Sequence, residues 1–307
     1  MILCVTLNPV LDTTLFVDEM RPVYRTESER VTYVAGGKGD NVARALQVLG
    51  EPAHALVALG GDTGRHVASL LAVEGIAATP AWVSGETRLQ ITVIDRAFEQ
   101  RAFYAPAVPF TEDDRAEFRR RFAELLPGAA AVCICGSAPD ATSALLVPEL
   151  LGLAQRSGKP TLLDSSGEGL RQGVTAGPRI IKVNLAEAAA LLGRRLVAPE
   201  DQAAALDELR QWRSDWAVLT LGEQGALFAA GDRRWSARPP KVEALNPIGS
   251  GDALTAGLMA GLMRGLPAEE CFRLGMAAAA ANTLTWEACR FDAAAVDALL
   301  PQIQMDE

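Results

Sequence analysis

Histidine is nearly absent: among 307 residues only His54 and His66 occur, each beside small or apolar neighbours. A zinc centre or a serine–histidine triad therefore has little material to work with. The five cysteines, Cys4, Cys133, Cys135, Cys271 and Cys289, are odd in number, mostly flanked by apolar residues and never spaced C-x-x-C. That pattern favours buried reduced thiols over a metal or redox site. Basic charge is in deficit, with 29 Lys and Arg against 38 Asp and Glu for a net charge of −9. Such a surface argues against nucleic acid or an anionic membrane as partner, so any anionic ligand must be met by a local cluster of basic groups and amides. Long hydrophobic runs are missing too. Stretches such as MAAAAANTL are too short and Ala-rich to span a bilayer, and the N-terminus enters a strand-like segment where a charged start and apolar signal would otherwise stand. The expected location is the cytoplasm. No low-complexity tract or internal repeat interrupts the chain, and its Ala and Arg richness reads as compositional bias.

A hydrophobic content of 49% over this length supports a large core, and one α/β domain spanning residues 1–307 with an insertion accounts for it. ILCVTL reads as a buried strand, GDNVARALQVLG as a helix ended by Gly50, AHALVALG as a strand and GRHVASLLAVEG as a helix. Farther on come strand AAVCICG, helix TSALLVPELLGLAQRSG with a proline able to bend it, strands PTLLD and RIIKVN, helices LAEAAALLG and PEDQAAALDELRQW, and strand WAVLTLG. The alternation implies a Rossmann-like three-layer α/β/α fold with a mostly parallel sheet, whose ligands bind at the carboxyl ends of the strands. Two stretches break the rhythm with β-rich alternation and no following helix, at about 13–34 and 86–105. They read as a small β-sheet lid over the site; two surface hairpins are the plainer reading.

Two glycine-rich turns carry chemistry. NPIGSGDALTAG, Asn246 to Gly257, sets three small residues before an acid and then a helical pattern. A helix opening at about Asp252 aims its unpaired N–H groups forward, which suits a phosphate, while the carboxylate suits removal of a proton beside one. A plain helix cap by Asp252 would explain the acid but not the small residues. VAGGKGDNVARAL, Val34 to Leu46, is not a Walker loop, because Lys38 is followed by Gly39 where Ser or Thr is required. Gly36, Gly37 and Gly39 permit close approach to a hydroxylated ligand, with Lys38 and Asn41 as charge and amide.

Together these turns resemble those of the phosphofructokinase B, or ribokinase-like, family of sugar kinases. TLNPVLD, GGDTG, CGSAPD, LLDSSGEGL, KVNLAE and LTLGEQGAL match it in order along the whole chain. The TLNPVLD opening and the DSSGE segment point to the branch of 1-phosphofructokinase and tagatose-6-phosphate kinase. The resemblance implies a single ribokinase-like kinase domain using ATP and Mg2+. Asp252 would be the general base, with Gly249, Ser250 and Gly251 as the anion hole. Asp12, Gly37, Lys38 and Asn41 would bind the sugar, and Arg88, Arg25 and Ser137 its phosphate. Lys182, Thr220, Gly222 and Gly225 would hold the nucleotide, Asn282 the adenine edge, and Asn184 and Glu187 the magnesium through water. A homodimer clasped through the lid is a further family expectation.

The chain departs from the family pattern at Asp40, where an apolar residue is usual, at Asn246 and Pro247 before the second turn, at Ser250 and at Val183. These changes bear on the identity of the sugar more than on the reaction. Fructose 1-phosphate is the first expectation, and tagatose 6-phosphate or fructose 6-phosphate the next. A kinase of an unphosphorylated sugar or nucleoside, and a sugar-phosphate-binding regulator without turnover, are the alternatives.

Overall fold

In the first strand, β1 (Ile2–Thr6), neighbouring side chains enter two different cores: Ile2 and Cys4 one, Leu3 and Val5 the other. Strand geometry sends successive residues to opposite faces, so a strand apolar at every position must be covered on both. The computed structural model describes residues 1–20, 25–97 and 99–307. Its further strands are β2 (Val10–Phe16), β3 (Arg30–Gly36), β4 (Ala53–Leu59), β5 (Ala78–Trp82), β6 (Arg88–Ile94), β7 (Gln100–Tyr104), β8 (Ala131–Cys135), β9 (Thr161–Asp164), β10 (Ile180–Asn184), β11 (Trp216–Thr220), β12 (Ala226–Ala230), β13 (Arg233–Arg238) and β14 (Gln304–Asp306). The helices are α1 (Lys38–Val48), α2 (Gly61–Val73), α3 (Glu112–Leu125), α4 (Leu146–Arg156), α5 (Gly167–Gly173), α6 (Leu185–Leu192), α7 (Pro199–Arg210), α8 (Ser250–Met263), α9 (Ala268–Asn282) and α10 (Ala293–Leu299).

Ten strands form the main sheet in the order β5-β4-β1-β8-β9-β10-β11-β12-β13-β14. Pairing is parallel from β5 to β11 and antiparallel from β11 to β14, an edge that the sequence pattern left unread. One core joins the sheet to α1, α2, α8, α9 and α10, the other to α3 through α7. The three expected layers are present. The proline of the fourth helix, Pro148, lies in its first turn, where no bend is required of it. No described helix is long and apolar enough to cross a membrane.

The Ala-rich run is not mere bias. It is the body of α9, and a methyl group on Gly257 of α8 would come within 2.5 Å of Gly275 Cα on α9. Small residues on both helices let their backbones approach, which seats α8 firmly behind the site.

The lid is one sheet of four strands, β3-β2-β6-β7. β2 pairs antiparallel with β3, and β6 with β7, so each irregular stretch does form a hairpin. Parallel pairing of β2 with β6 then joins the hairpins, which is what the two-hairpin reading lacks. Residues 21–24 and 98, which fall within the expected lid stretches, lie outside the described residues. One lid face carries Asp12, Thr14, Gln90 and Thr92; the alternate positions, Leu15, Val31, Tyr33, Leu89, Ile91 and Phe103, form an apolar face.

Candidate active site

Glycines decide where the two turns meet. α1 starts from Gly37 at φ 141°, a conformation that side chains resist. A methyl group on Gly39 would stand 2.4 Å from Thr6 Oγ1, so glycine lets α1 lie against the end of β1. α8 starts from Gly249 at φ 87°, two residues earlier than the sequence pattern placed it. Asn246, one of the departures, closes this turn: its Oδ1 accepts from Ile248 N at 3.0 Å and its Nδ2 donates to Trp286 O at 2.8 Å. The Ser250 N–H donates to Pro247 O at 3.2 Å, so of the expected anion-hole amides this one is already engaged in the turn.

Asp252 is the third residue of α8 and makes no cap. Its Oδ2 instead accepts from Asn41 Nδ2 at 2.8 Å, across the contact of α1 with α8. Burial, aided by the charge of Asp164 and opposed by Lys182, Lys38 and the Asn41 amide, lifts its carboxyl to about 6. The sequence required no such rise; the structure supplies one by enclosing the acid. Asn41, expected among the sugar ligands, has both ends of its amide occupied, since its Oδ1 accepts from Arg44 Nη1 at 2.7 Å.

Beneath Asp252 lies a buried hub that the sequence reading missed. Asp164, at the carboxyl end of β9, accepts from Lys182 Nζ at 2.7 Å, Lys38 Nζ at 2.9 Å and Thr255 Oγ1 at 3.0 Å. Burial alone would raise this acid, but the two ammonium groups outweigh it and hold the carboxyl at about 2. Lys38 also donates to Glu187 Oε1 at 3.0 Å. Burial lowers its pKa, yet Asp164, Glu187 and Asp252 reverse that and push it above the ordinary lysine value. Lys38 thus faces the acids of β9 and α6, where the sequence had it beside the sugar. The clue available in sequence was LLDSS, an acid that follows the apolar pair Leu162–Leu163 at the ligand-binding end of the sheet.

Asn184 and Glu187 cap α6 reciprocally: Asn184 Oδ1 accepts from Glu187 N at 2.8 Å and Glu187 Oε2 from Asn184 N at 2.9 Å. No group of three or more His, Cys, Asp or Glu suited to a metal ion occurs among the described residues.

The far side of the site is built on the lid. Asp12 of β2 packs on Gly36 so closely that a methyl group there would meet Oδ2 at 2.2 Å. Burial lifts its carboxyl to about 6 against the pull of Arg88 and Arg44, and Oδ1 is buried without a hydrogen-bond partner. Arg88 donates to Asn8 O at 3.3 Å and Pro9 O at 3.4 Å, and Asn8 Nδ2 donates to Ser137 Oγ at 3.0 Å. Arg88 and Ser137 thus meet at Asn8, another residue the reading did not single out. Arg25 does not join them. Its side chain is 84% exposed and pairs with Glu27.

Asp40 points neither to solvent nor into the cleft. It is fully buried, accepts from Thr6 Oγ1 at 3.1 Å, and keeps Oδ2 without a partner. Burial raises its carboxyl to about 7.

On the other side of Asp252 opens a mainly apolar cleft of about 620 Å³, lined by Thr220, Gly222, Gly225, Ser250, Gly251 and Thr283 among others. Five of the expected nucleotide-side and turn positions, Thr220, Gly222, Gly225, Ser250 and Gly251, come together here. Lys182 lies below, beside Gly251. Asn282 does not line the cleft: it is fully buried, its Nδ2 donates to Ile248 O at 2.9 Å and Ser250 Oγ at 3.1 Å, and its Oδ1 accepts from Cys289 N at 2.7 Å. Its amide therefore holds the turn before α8, where the sequence had it at the adenine edge.

Residues 5–291 match the profile of the pfkB family carbohydrate kinases. The chain belongs to that family. It is 34% identical over 288 residues to ATP-dependent 6-phosphofructokinase isozyme 2 of Mycobacterium tuberculosis, covering 92% of this chain and 84% of the relative. To the enzyme of the same description from Escherichia coli K12 it is 32% identical over 282 residues, 91% of each chain. Phosphofructokinase-2 from Escherichia coli, solved with potassium, superposes with a TM-score of 0.92 at 30% identity over 98% of both chains. A Thermotoga maritima structure described as "possible 1-phosphofructokinase" superposes with a TM-score of 0.89 at 27% identity, over 100% of this chain and 99% of that one. The pfkB match agrees with the kinase family expected from the sequence.

Proposed function

We propose that this carbohydrate kinase transfers the γ-phosphoryl group of ATP to the 1-hydroxyl of fructose 6-phosphate. The named relatives favour fructose 6-phosphate, an alternative in the order drawn from the sequence, over fructose 1-phosphate, which stood first. The two curated relatives above are both named 6-phosphofructokinases, at 34% and 32% identity. The observation that carries the reaction is the placement of Asp252: a buried carboxylate, hydrogen-bonded by the Asn41 amide of α1, in the first turn of the helix whose glycine turn lines the cleft.

In the proposed reaction the acceptor hydroxyl attacks the γ-phosphorus, the bond from that phosphorus to the bridging oxygen breaks, and ADP departs. The hydroxyl proton passes to Asp252, whose carboxyl near 6 is well matched to neutral pH. The amides at Gly249 and Gly251 and the Lys182 ammonium favour charge on the transferring group. Asp12 accepts from sugar hydroxyls, and Arg88 with Ser137 meets the resident phosphate in the absence of Arg25 from this cluster. Thr220, Gly222 and Gly225 border the nucleotide. Glu187 and Asn184 are mutually capped, so their remaining lone pairs fit a hydrated magnesium ion held through water. Such an ion would neutralise charge on the nucleotide phosphates.

The apolar lid face, with Tyr33 and Phe103 largely exposed, supports a homodimer joined through the lid. A coupled ADP-release assay with MgATP and a panel of fructose 6-phosphate, fructose 1-phosphate, tagatose 6-phosphate and free fructose tests the proposal. The highest kcat/KM is expected for fructose 6-phosphate; a preference for free fructose would remove the role given to Arg88 and Ser137.

A further inference from the structure

Arg44 is a buried cation of α1 that the reaction above does not use. Its guanidinium is tied at three corners: Nη1 donates to Asn41 Oδ1 at 2.7 Å, Nη2 to Ala35 O at 2.9 Å, and Nε to Glu74 Oε2 at 2.5 Å. Glu74, at the C-terminal end of α2, also accepts from Arg290 Nη2 at 2.9 Å. Arg290 belongs to the segment that packs on the second turn: Ala288 blocks a methyl group on Gly249 at 2.7 Å, and Cys289 Sγ donates to Gly249 O at 3.5 Å. One carboxylate therefore joins the residue behind the base to the segment behind the glycine turn.

We propose that Arg44 is a positioning residue for the base: by holding Asn41 Oδ1 it fixes the amide so that only Nδ2 can face Asp252, and Glu74 clamps Arg44 in that place. The inference rests on the reading of Asp252 as base. An amide has an acceptor end and a donor end of nearly equal size. Turned over, Asn41 would set its oxygen against the carboxylate and repel it. Arg44 can meet only the acceptor end, because a guanidinium has no lone pair to offer. The i, i+3 spacing of Asn41 and Arg44 on α1 brings them to the same helix face.

The consequence is readable at Asp252 itself. The groups facing it are Asp164 of β9, Lys182 of β10, Lys38 and Asp40 of α1, and the thiols of Cys135 and Cys289. Arg44→Lys leaves all of these in place and keeps the positive charge, but an ammonium on a shorter reach cannot serve Asn41, Ala35 and Glu74 together. Losing the aligned amide donor removes a hydrogen bond to the charged form, so the Asp252 carboxyl titrates at higher pH.

The test is a 13C titration of the Asp252 carboxyl in the full-length chain, its signal assigned by loss in Asp252→Asn, alongside kcat and KM. In Arg44→Lys the midpoint is expected to rise by about half a pH unit or more, and kcat to fall about 10- to 100-fold with KM changing less than about threefold. In an Asn41→Ala background the same substitution should add nothing to the midpoint shift. An unchanged midpoint in Arg44→Lys, or a full further shift in the Asn41→Ala background, overturns the proposal. Should Arg44→Lys lose its cooperative thermal transition, Glu74→Gln takes its place, with a smaller rise in the same direction expected and no rise overturning it. A wild type that turns over none of the hexose phosphates, with the midpoint still shifted in Arg44→Lys, would sink the reaction and leave the positioning of Asp252 by Arg44 standing. Normal wild-type turnover without the shift does the reverse.

Discussion

Gly251 sits over Lys182 so closely that a methyl group added to it would lie 2.8 Å from Nζ. The ammonium is thereby held under the first turn of α8, where the helix dipole is also positive. Asp164 offsets part of that charge from below, and the proposed anion site lies above it.

Gly251→Ala should separate these effects. Gly251 has no positive φ, so the added methyl strains no backbone and acts by displacing the ammonium. The fold is expected to survive, with kcat/KM for ATP reduced about 10- to 100-fold, the range for one charge-assisted contact. Steady-state kinetics with circular dichroism of the same sample checks this; unaltered kcat/KM would remove Lys182 from the anion site.

Asp252→Asn should lower kcat by about two to four powers of ten while nucleotide affinity holds, because the proton acceptor alone is lost. In the wild type the carboxyl near 6 predicts a kcat that falls as pH drops through about that value, since protonation removes the base. Near-native turnover in the variant, or a flat profile between pH 5 and 7 on the order of measurement error, contradicts the assignment.

Asp40→Asn tests the buried departure. Burial places its folded-state carboxyl at about 7, above the ordinary 3.8, so the folded chain binds a proton there that the unfolded chain has released. Stability contributed at this site is therefore present at low pH and is lost as pH rises between those two values. Removing the charge should stabilise the protein at pH 8 by up to about 4 kcal/mol and have little effect near pH 4. Urea denaturation at both pH values gives the comparison, and an equal effect at both would show that the carboxyl is not titrating.

Arg88→Lys keeps charge but loses the planar fork that suits a phosphate. We expect the KM for fructose 6-phosphate to rise about 10-fold or more while the KM for ATP stays within about twofold. Equal effects on the two substrates would place Arg88 outside the sugar-phosphate site.

Much of the scaffold could be read along the chain because its signals are local. A strand apolar at every position demands cover on both faces, and the two lid stretches betray themselves by alternation without a helix. The G-S-G-D turn declares itself because Gly249 at φ 87° and the acid three residues on are fixed by short-range geometry. Roles that depend on which neighbour arrives from elsewhere could not be read so. Asn282 has the residue type for a base-edge contact, but it lies in the interior of the α8–α9 packing and holds the turn. Lys38 opens α1 right after the glycine turn, yet its side chain runs to Asp164, 126 positions away. Arg25 carries the right charge on a segment that leaves it in solvent.

The order of residues alone determined the three-layer scaffold, the lid and the carboxylate-bearing glycine turn, because periodicity, turn stereochemistry and the entropy cost of closing short loops act within a few residues. Tertiary structure decided the electrostatics. Parallel strands bring Asp164 and Lys182 side by side, α1 lands on α8 through Asn41, and burial then sets which acids stay charged. Proton affinities follow distance and solvent access, and neither is defined until the chain has folded.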